Sequence, residues 1–305
     1  MIYAIGLDSD RTFRHLISEA FKRGIEVQAI NLRAVVAGDW RIALPDDGQS
    51  WIAVPGWRFE LDPQASYFCR IMDLASVQDE QSLALQWRSL VVALTSWLDS
   101  IPGTVVNRSS ARSDNASKAL HEYALQCSGF NVPSSLTSSD PEQLIAFASA
   151  GPTIVKAISG VRANSRLIEV QELKNFRSSQ GPIHLQKYVA GKDVRAHVVG
   201  NYVHVELIES TEVDYRHTPE QVKTLSHYEL PRSVEEQIVK ATAAFGLTFA
   251  GWDFKVADDG TYWCLEANPM PGYDGYDRRA GGSITASLLQ VLLTPETPLA
   301  RQVVI

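Results

Sequence analysis

Three oxygen-bearing side chains near the carboxyl end of the chain have the spacing of a cation site. Residues 249–267 alternate apolar and polar side chains around a turn at residues 257–260, which predicts a β-hairpin. Alternation along the strands puts Asp253, Glu266 and Asn268 on one face of that hairpin. Mg²⁺ typically takes one or two carboxylates together with substrate phosphates. The pattern therefore predicts a divalent-cation site, although a solvated polar face would show the same alternation.

The opposite face of this hairpin is expected to be apolar and to cover a core. On the first strand, alternation assigns Trp252 and Phe254 to that face. On the second strand, it assigns Trp263, Leu265 and Ala267 to the same face. The sequence thus predicts one sheet with a buried side and a cation-binding side.

Two lysines are candidates for binding phosphate. Lys118 lies in the first turns of a predicted amphipathic helix, and Lys156 ends a short apolar strand before a loop that contains Gly160. A lysine at such a junction, next to a loop that can fold over phosphates, is common in nucleotide sites. Taken singly, each lysine is more often a solvated surface residue. The predicted apolar face of the helix comprises Ala116, Ala119, Leu120, Tyr123 and Ala124.

The sequence predicts a mixed α/β fold for the helices and strands that position these residues. The chain begins as strand, helix and strand, with Ser9 or Asp10 placed to cap the helix, which is the pattern of a parallel βαβ unit. Residues 38–64 read as irregular strands and turns. This part has no GxGxxG motif, so a Rossmann-type oxidoreductase has no support. Further strands are predicted at 104–107, 153–157, 183–189, 194–199 and 202–208, and helices around 87–98, 234–245 and 284–292.

Composition limits the class of protein. The chain has 305 residues, 45% hydrophobic and 21% charged, with a net charge of -7. Such a length predicts two or three structural units, and the acidic balance argues against a surface dominated by nucleic-acid phosphates. The sequence shows no signal-peptide pattern and no membrane span. Cys69, Cys127 and Cys264 have no metal-ligand spacing and are expected to be buried, reduced thiols in a cytoplasmic protein.

Taken in order, these segments resemble the ATP-grasp superfamily over residues 105–292. Lys118 resembles its first nucleotide lysine, and Lys156 resembles the second, followed by a phosphate loop around Gly160. The Gly251-Trp252-Asp253 segment and the segment from Leu265 to Pro269 are similar to the two magnesium-binding strands. This resemblance implies that Asp253, Glu266 and Asn268 bind the metal.

The resemblance also assigns roles between these segments. Residues 185–189 sit where the family passes a hinge strand along adenine, and the resemblance implies cofactor-binding roles for Gln186, Lys187, Tyr188 and Val189. Asp193 resembles a residue near ribose. Arg195 resembles a residue near phosphate or substrate, and Arg216 resembles the arginine that meets the acyl phosphate, which implies catalytic roles for both.

Two positions depart from the family pattern. The phosphate loop is usually richer in glycine, whereas Ala163 and Ser165 follow Gly160 here. Lys187 stands where the family frequently has glutamate. Because hinge contacts to adenine run largely through the backbone, this second departure leaves adenine binding compatible with the sequence.

The implied fold is an α/β ATP-grasp fold with a small N-terminal βαβ domain. The expected domains are residues 1–103, a central subdomain with a lid at 104–190, and a C-terminal subdomain with the metal site at 191–305. The implied cofactors are ATP and Mg²⁺ or Mn²⁺. The implied reaction makes an acyl phosphate from a carboxylate and ATP, and an amine or hydroxyl group then captures the acyl group.

The substrate class stays open at this point. The chain is most similar to members that modify peptides or proteins, namely ribosomal-protein glutamate ligases and graspetide macrocyclases. A small-molecule amino-acid ligase is the alternative, and a nucleotide-binding scaffold with little turnover is a second. The resemblance further implies a homodimer, and the acidic charge and the lack of a membrane span predict no nucleic-acid or membrane partner. Structural roles are expected for Arg70, His184, His197, His204 and His217.

Overall fold

The computed structural model describes residues 1–43, 48–111, 117–156, 158, 165–210, 213, 215 and 224–294. Residues 1–111 alternate strands with three helices. The strands are β1 (Ile2–Gly6), β2 (Val27–Asn31), β3 (Trp40–Arg41), β4 (Ser50–Val54), β5 (Trp57–Leu61), β6 (Ser66–Cys69) and β7 (Val105–Val106). The helices are α1 (Arg11–Lys22), α2 (Leu32–Val36) and α3 (Gln81–Ser100).

The rest of the described chain adds nine strands and six helices. The strands are β8 (Ser135–Ser138), β9 (Thr153–Lys156), β10 (Arg166–Leu167), β11 (Ile183–Lys187), β12 (Lys192–Val199), β13 (Tyr202–Glu209), β14 (Thr224–His227), β15 (Phe249–Val256) and β16 (Tyr262–Asn268). The helices are α4 (Lys118–Cys127), α5 (Pro141–Ser149), α6 (Val170–Leu173), α7 (Arg232–Ala244), α8 (Asp274–Arg279) and α9 (Ser283–Leu293). Among the described residues, no helix is long and apolar enough to cross a membrane.

Contacts divide the chain into two compact units, and the first combines residues 1–112, 246–249 and 270–305. Its main sheet has the strand order β2-β1-β6-β7, with every neighbouring pair parallel. The predicted βαβ start is therefore confirmed, and the Asp10 side chain caps α1 by accepting the backbone N–H groups of Thr12 and Phe13. The segment expected to be irregular forms the antiparallel meander β3-β4-β5. The three-domain division stays a prediction.

Buried polar pairs hold the two ends of the chain together within this first unit. The Arg70 guanidinium is buried, lies 2.6 Å from the Asp10 carboxylate, and donates to the backbone oxygens of Met270 and Pro271. His15 Nε2 lies 2.7 Å from the buried Asp277 carboxylate. Arg70 thus has the packing role expected for it.

The second unit, residues 113–245 and 250–269, contains two sheets. One has the order β10-β9-β11-β8, and the other has the order β14-β13-β12-β15-β16. In the larger sheet, Trp252 is fully buried between the rings of Phe130 and Phe245, and its indole N–H donates to Thr242. The apolar side of the hairpin therefore covers a core, as predicted.

The predicted assignment of Trp263 and Leu265 to that apolar face was wrong. Strand pairing places Glu266 opposite Asp253 but Cys264 opposite Phe254, so Leu265 is an extra residue in a β-bulge. Cys264 and Ala267 are fully buried, whereas Trp263 and Leu265 are half-buried. A bulge shifts the alternation by one residue, and the apolar Leu265 gives no sign of it in the sequence.

The predicted buried face of α4 was also wrong. Leu120 and Tyr123 are exposed, whereas His121, Glu122 and Leu125 are buried. Ala116 lies outside the described residues. The reason is that two of the inward side chains, His121 and Glu122, are polar and make specific hydrogen bonds, so an apolar periodicity points to the wrong side. Cys127 on this helix is exposed, contrary to the expectation of a buried thiol.

Candidate functional site

The two candidate metal carboxylates lie directly opposite each other on neighbouring strands. Asp253 on β15 pairs with Glu266 on β16, and Asn268 pairs with Gly251 in the same ladder. Cross-strand partners share a face, so the two carboxylates and the Asn268 amide lie on one side of the sheet. Two carboxylates and an amide oxygen fit a hard divalent cation whose other ligands are phosphate or water.

Each of these carboxylates has a cationic neighbour within the second unit. Arg195 Nη1 lies 2.7 Å from Asp253 Oδ2, and both side chains are almost buried. Lys118 Nζ lies 3.7 Å from Glu266 Oε1. The Tyr215 hydroxyl donates to Asp253 Oδ1 at 2.9 Å. Four of the predicted residues therefore converge on one patch, with two negative and two positive charges.

Lys156 is held in place by a buried polar network. Its Nζ donates to Gln186 Oε1 at 2.7 Å, and Gln186 Nε2 donates to Glu122 Oε1 at 2.7 Å. Because carboxylate oxygens only accept, Glu122 fixes the orientation of the Gln186 amide and turns its oxygen towards the lysine. Glu122 also receives hydrogen bonds from His184 and Ser135. His184, bonded in addition to Thr137, thus has the expected structural role.

The charge state of this network follows from its hydrogen bonds. Burial alone would raise the pKa of Glu122, but the hydrogen bonds from His184 and Ser135 and the charge of Lys156 outweigh it, and the pKa is lowered. The pKa of the buried Cys264 thiol is shifted by the charges of the same site residues. Burial raises the pKa of its thiol, Asp253 and Glu266 raise it further, and Lys156 lowers it.

His121 lies between these groups. Its Nε2 accepts the backbone N–H of Ala267 at 3.0 Å, and its ring is almost fully buried. Burial lowers the pKa of His121 to about 4, with opposing contributions from Glu266 and Lys118. The imidazole is therefore neutral near pH 7, as its role as an acceptor requires.

The hinge residues divide by the direction of their side chains. Gln186 faces Lys156, whereas the Lys187 ammonium turns away and donates to the backbone oxygens of Phe147 and Gly151. Tyr188 and Val189 are half-buried, and the Tyr188 N–H donates to Pro152 O. The Lys187 side chain thus caps the end of α5, and an adenine-binding role for residues 186–189 remains a prediction.

Asp193 lies in a buried ion pair. Its carboxylate is 2.8 Å from Lys255 Nζ, which lies on the same sheet as Arg195. Gly191, two residues before Asp193, has φ 148°, and a Cβ there would stand 2.2 Å from Val256 O, so only glycine fits. The contact with ribose that the family resemblance implies for Asp193 also remains a prediction.

Gly160, Arg216 and His217 lie outside the described residues. In the part of the chain that the structure describes, no group of three His, Cys, Asp or Glu side chains has an arrangement that could hold a metal ion. The candidate set reaches three ligands only by counting the Asn268 amide.

Sequence reasoning missed His121, Glu122 and their contacts. Both follow Lys118 on α4, at three and four residues, which is the spacing that puts side chains on one face of a helix. A helix face defined by a lysine, a histidine and a glutamate was the available signal. The outward Leu120 and Tyr123 obscured it by imitating an apolar face.

Comparisons with known proteins identify a matching domain family and similar curated proteins. A profile of the RimK-like ATP-grasp domain matches residues 116–292. The chain is similar to a ribosomal protein bS6–L-glutamate ligase of Salmonella paratyphi B, with 27% identity over 169 residues, 52% of this chain and 56% of that protein. The chain spans about half the length of the curated relatives it matches.

Solved structures show the same fold over nearly the whole chain. The macrocyclase MdnC of Microcystis aeruginosa, bound to the precursor peptide MdnA, superposes with a TM-score of 0.81 at 18% identity, covering 96% of this chain and 100% of MdnC. The ATP-grasp ligase PsnB, in complex with a variant of its minimal precursor, Mg and ADP, gives a TM-score of 0.78 at 24% identity, covering 95% and 98%. The predicted α/β ATP-grasp fold is confirmed, and the chain belongs to the RimK-like ATP-grasp domain family.

Proposed function

We propose that this protein is an ATP-dependent ligase that activates a carboxylate as an acyl phosphate and transfers the acyl group to an amine or hydroxyl of a peptide or protein. The observation that carries the proposal is the facing pair Asp253 and Glu266, each with a cation beside it. Phosphoryl transfer depends mainly on positioning and charge neutralisation, and this patch has the groups for both.

The residues divide the work as follows. Lys118 and Lys156 bind the phosphates of ATP, and Gln186 keeps the Lys156 ammonium oriented. Residues 186–189 hold adenine, Asp193 lies near ribose, and Gly160 belongs to the loop over the phosphates. Asp253, Glu266 and Asn268 would hold Mg²⁺ or Mn²⁺, which when bound neutralises charge on the β- and γ-phosphates.

In the first step, a substrate carboxylate oxygen attacks the γ-phosphorus, and the bond from that phosphorus to the β,γ-bridging oxygen breaks, releasing ADP. In the second step, the amine or hydroxyl attacks the acyl carbon, phosphate leaves, and the nucleophile loses its proton. Arg195 and Arg216 stabilise the negative charge on the transferred phosphoryl group. The chain needs no covalent nucleophile of its own.

The peptide or protein class of substrate is supported by what relatives act on. One relative is named for glutamate ligation to ribosomal protein bS6, and the structural neighbours MdnC and PsnB hold precursor peptides. A cytoplasmic location and a homodimer belong to the same proposal. Light scattering of the purified protein measures the second of these directly.

Mass spectrometry of the protein incubated with ATP, Mg²⁺ and candidate peptides tests the function. Loss of water from a peptide indicates macrocyclisation, and added amino-acid masses indicate tailing. ADP release with free amino acids but with no peptide modified points to the small-molecule alternative. No ADP release with any substrate would favour a nucleotide-binding scaffold.

Glu266→Ala is the decisive variant for the site. It removes one of the two facing carboxylates from a half-buried position, so we expect product formation to be abolished while circular dichroism and the unfolding midpoint change little. Glu209→Ala, at an exposed carboxylate on β13, is the matched control and should keep full activity. A fully active Glu266→Ala protein would refute the metal assignment.

A further inference from the structure

The strand that carries Glu266 is the edge strand of its sheet. In the order β14-β13-β12-β15-β16, β16 pairs with β15 on one side, and on its other side the described residues form only an isolated bridge between Asn131 and Trp263. The outward N–H groups of an edge strand need other acceptors, or the strand stays free to shift. The position of a metal-binding carboxylate on such a strand therefore depends on what holds its open edge.

Contacts on each side of the bulge hold that edge. The Cys264 N–H donates to the Asn131 backbone oxygen at 2.8 Å, and the Ala267 N–H donates to His121 Nε2 at 3.0 Å. Outward N–H groups normally recur every second residue. Here they are three residues apart because Leu265 is the extra residue of the bulge.

The second contact is the one that adjoins the candidate metal ligands. Ala267 lies between Glu266 and Asn268, so a hydrogen bond to its N–H restrains the peptide units on which both side chains depend. The contact comes from α4, the helix whose first residue, Lys118, faces Glu266. Helix α4 therefore contacts β16 in two ways: the Lys118 ammonium faces the Glu266 carboxylate, and His121 accepts a hydrogen bond from the Ala267 backbone.

The hydrogen bond from Ala267 also fixes the tautomer of the His121 ring. Because Nε2 accepts from Ala267, the proton of the neutral ring must be on Nδ1. Nδ1 is buried and has no hydrogen-bond partner among the described residues. Buried donors without partners are rare, and they concentrate where function overrides local satisfaction.

We infer that His121 is a positioning residue for the divalent-cation site: it anchors the Ala267 N–H at the open edge of β16 and so fixes Glu266 and Asn268 for the metal. The inference rests on the proposed function. In this inference His121 acts through its hydrogen bond to the backbone of β16 and not as a metal ligand itself.

Two substitutions of His121 separate the effect of its hydrogen bond to Ala267 from the effect of its packing. His121→Leu fills a similar volume and leaves the Ala267 N–H without an acceptor. His121→Gln keeps an acceptor oxygen at about the reach of Nε2. Leu125→Ala, at a fully buried position on the same helix, weakens packing without removing the hydrogen bond and is the matched control.

The measurement is Mn²⁺ affinity in the presence of ADP, followed by the electron paramagnetic resonance signal of free Mn²⁺, so that no turnover is required. Groups that orient metal ligands are typically worth about 10-fold to 100-fold in metal affinity. We expect His121→Leu to bind Mn²⁺ at least about 10-fold more weakly, and His121→Gln and Leu125→Ala to bind like the wild type. Hydrogen exchange at residues 266–268 should quicken only in His121→Leu.

The possible outcomes separate a failure of the role inferred for His121 from a failure of the proposed ligase function. Wild-type affinity in His121→Leu overturns the inference and leaves the function standing, as does an equal loss in Leu125→Ala, which would make the effect general loosening of α4. Failure of the wild type itself to bind Mn²⁺ with ADP overturns the proposed function, and the inference with it.

Discussion

At the scale of single residues, the candidate site is built from opposite charges that satisfy one another. Arg195 and Asp253 are both almost buried, and charges in such positions are tolerated only when paired. The Tyr215 hydroxyl contributes a further hydrogen bond to the same carboxylate. Any cation that binds Asp253 must therefore share this carboxylate with a guanidinium.

The substitution Arg195→Gln tests whether the guanidinium and a bound cation share the Asp253 carboxylate. Removing the cation leaves the Asp253 carboxylate with an uncompensated charge, so we expect the free energy of unfolding to fall by about 3 kcal/mol. Because Mg²⁺ would compensate the same charge, it should raise the unfolding midpoint more in the variant than in the wild type. Urea unfolding with and without Mg²⁺ measures both effects.

Arg232→Gln is the control, because the Arg232–Glu236 pair is exposed and surface pairs of this kind contribute little. Equal responses to Mg²⁺ in the wild type and in Arg195→Gln would contradict a shared carboxylate.

At the scale of elements, Lys187 explains one departure from the family pattern. Its ammonium lies 2.6 Å from Phe147 O and 3.2 Å from Gly151 O and sits over the Phe147 ring, at the end of α5. A cation is favourable at the carbonyl end of a helix, and a glutamate there would face carbonyl oxygens. The side chain stabilises the β9–β11 sheet from the side opposite to Gln186.

Lys187→Met should therefore reduce stability by about 1.5 kcal/mol, the lower range for a hydrogen bond from a charged group, and leave the KM for ATP unchanged. Thermal unfolding and initial rates of ADP formation check the two halves. Lys192→Met, at an exposed lysine facing Glu209, is the control and should change neither quantity. A raised KM with unaltered stability would place the Lys187 ammonium at the nucleotide instead.

The elements also show what could be predicted from the sequence. The β15–β16 hairpin was predictable because its apolar and polar residues alternate, and the capped α1 because Asp10 precedes an apolar periodicity. The bulge at Leu265 was not, because an apolar residue inserted among apolar residues leaves the pattern intact. The inward face of α4 was missed because buried polar side chains are recognised by their partners, and those partners are distant in the chain.

At the scale of the whole molecule, His121 links the site to the pH dependence of stability. Its pKa is lowered from the ordinary value of 6.5 to about 4 in the folded protein. Between these two pH values the unfolded chain binds a proton at His121 that the folded chain does not. The contribution of the neutral ring to the free energy of unfolding is therefore fully present above pH 6.5 and is lost as the pH falls towards 4.

His121→Gln removes this contribution. The stability difference between the wild type and His121→Gln should therefore shift by up to about 3 kcal/mol against the wild type between pH 7 and pH 4. Urea unfolding across this range at constant ionic strength gives the comparison. A difference independent of pH would show that burial does not keep the ring neutral.

The first unit of the fold combines residues from both ends of the described chain. Arg70 binds the backbone oxygens of Met270 and Pro271, and Asp277 meets His15, all within the first unit. A ribosome that has translated the first hundred residues has therefore not yet made the segment that completes their fold. Helix α9 contacts β6 within this unit but is translated long after that strand, so the amino-terminal sheet gains this contact only once residues 283–293 have been synthesised.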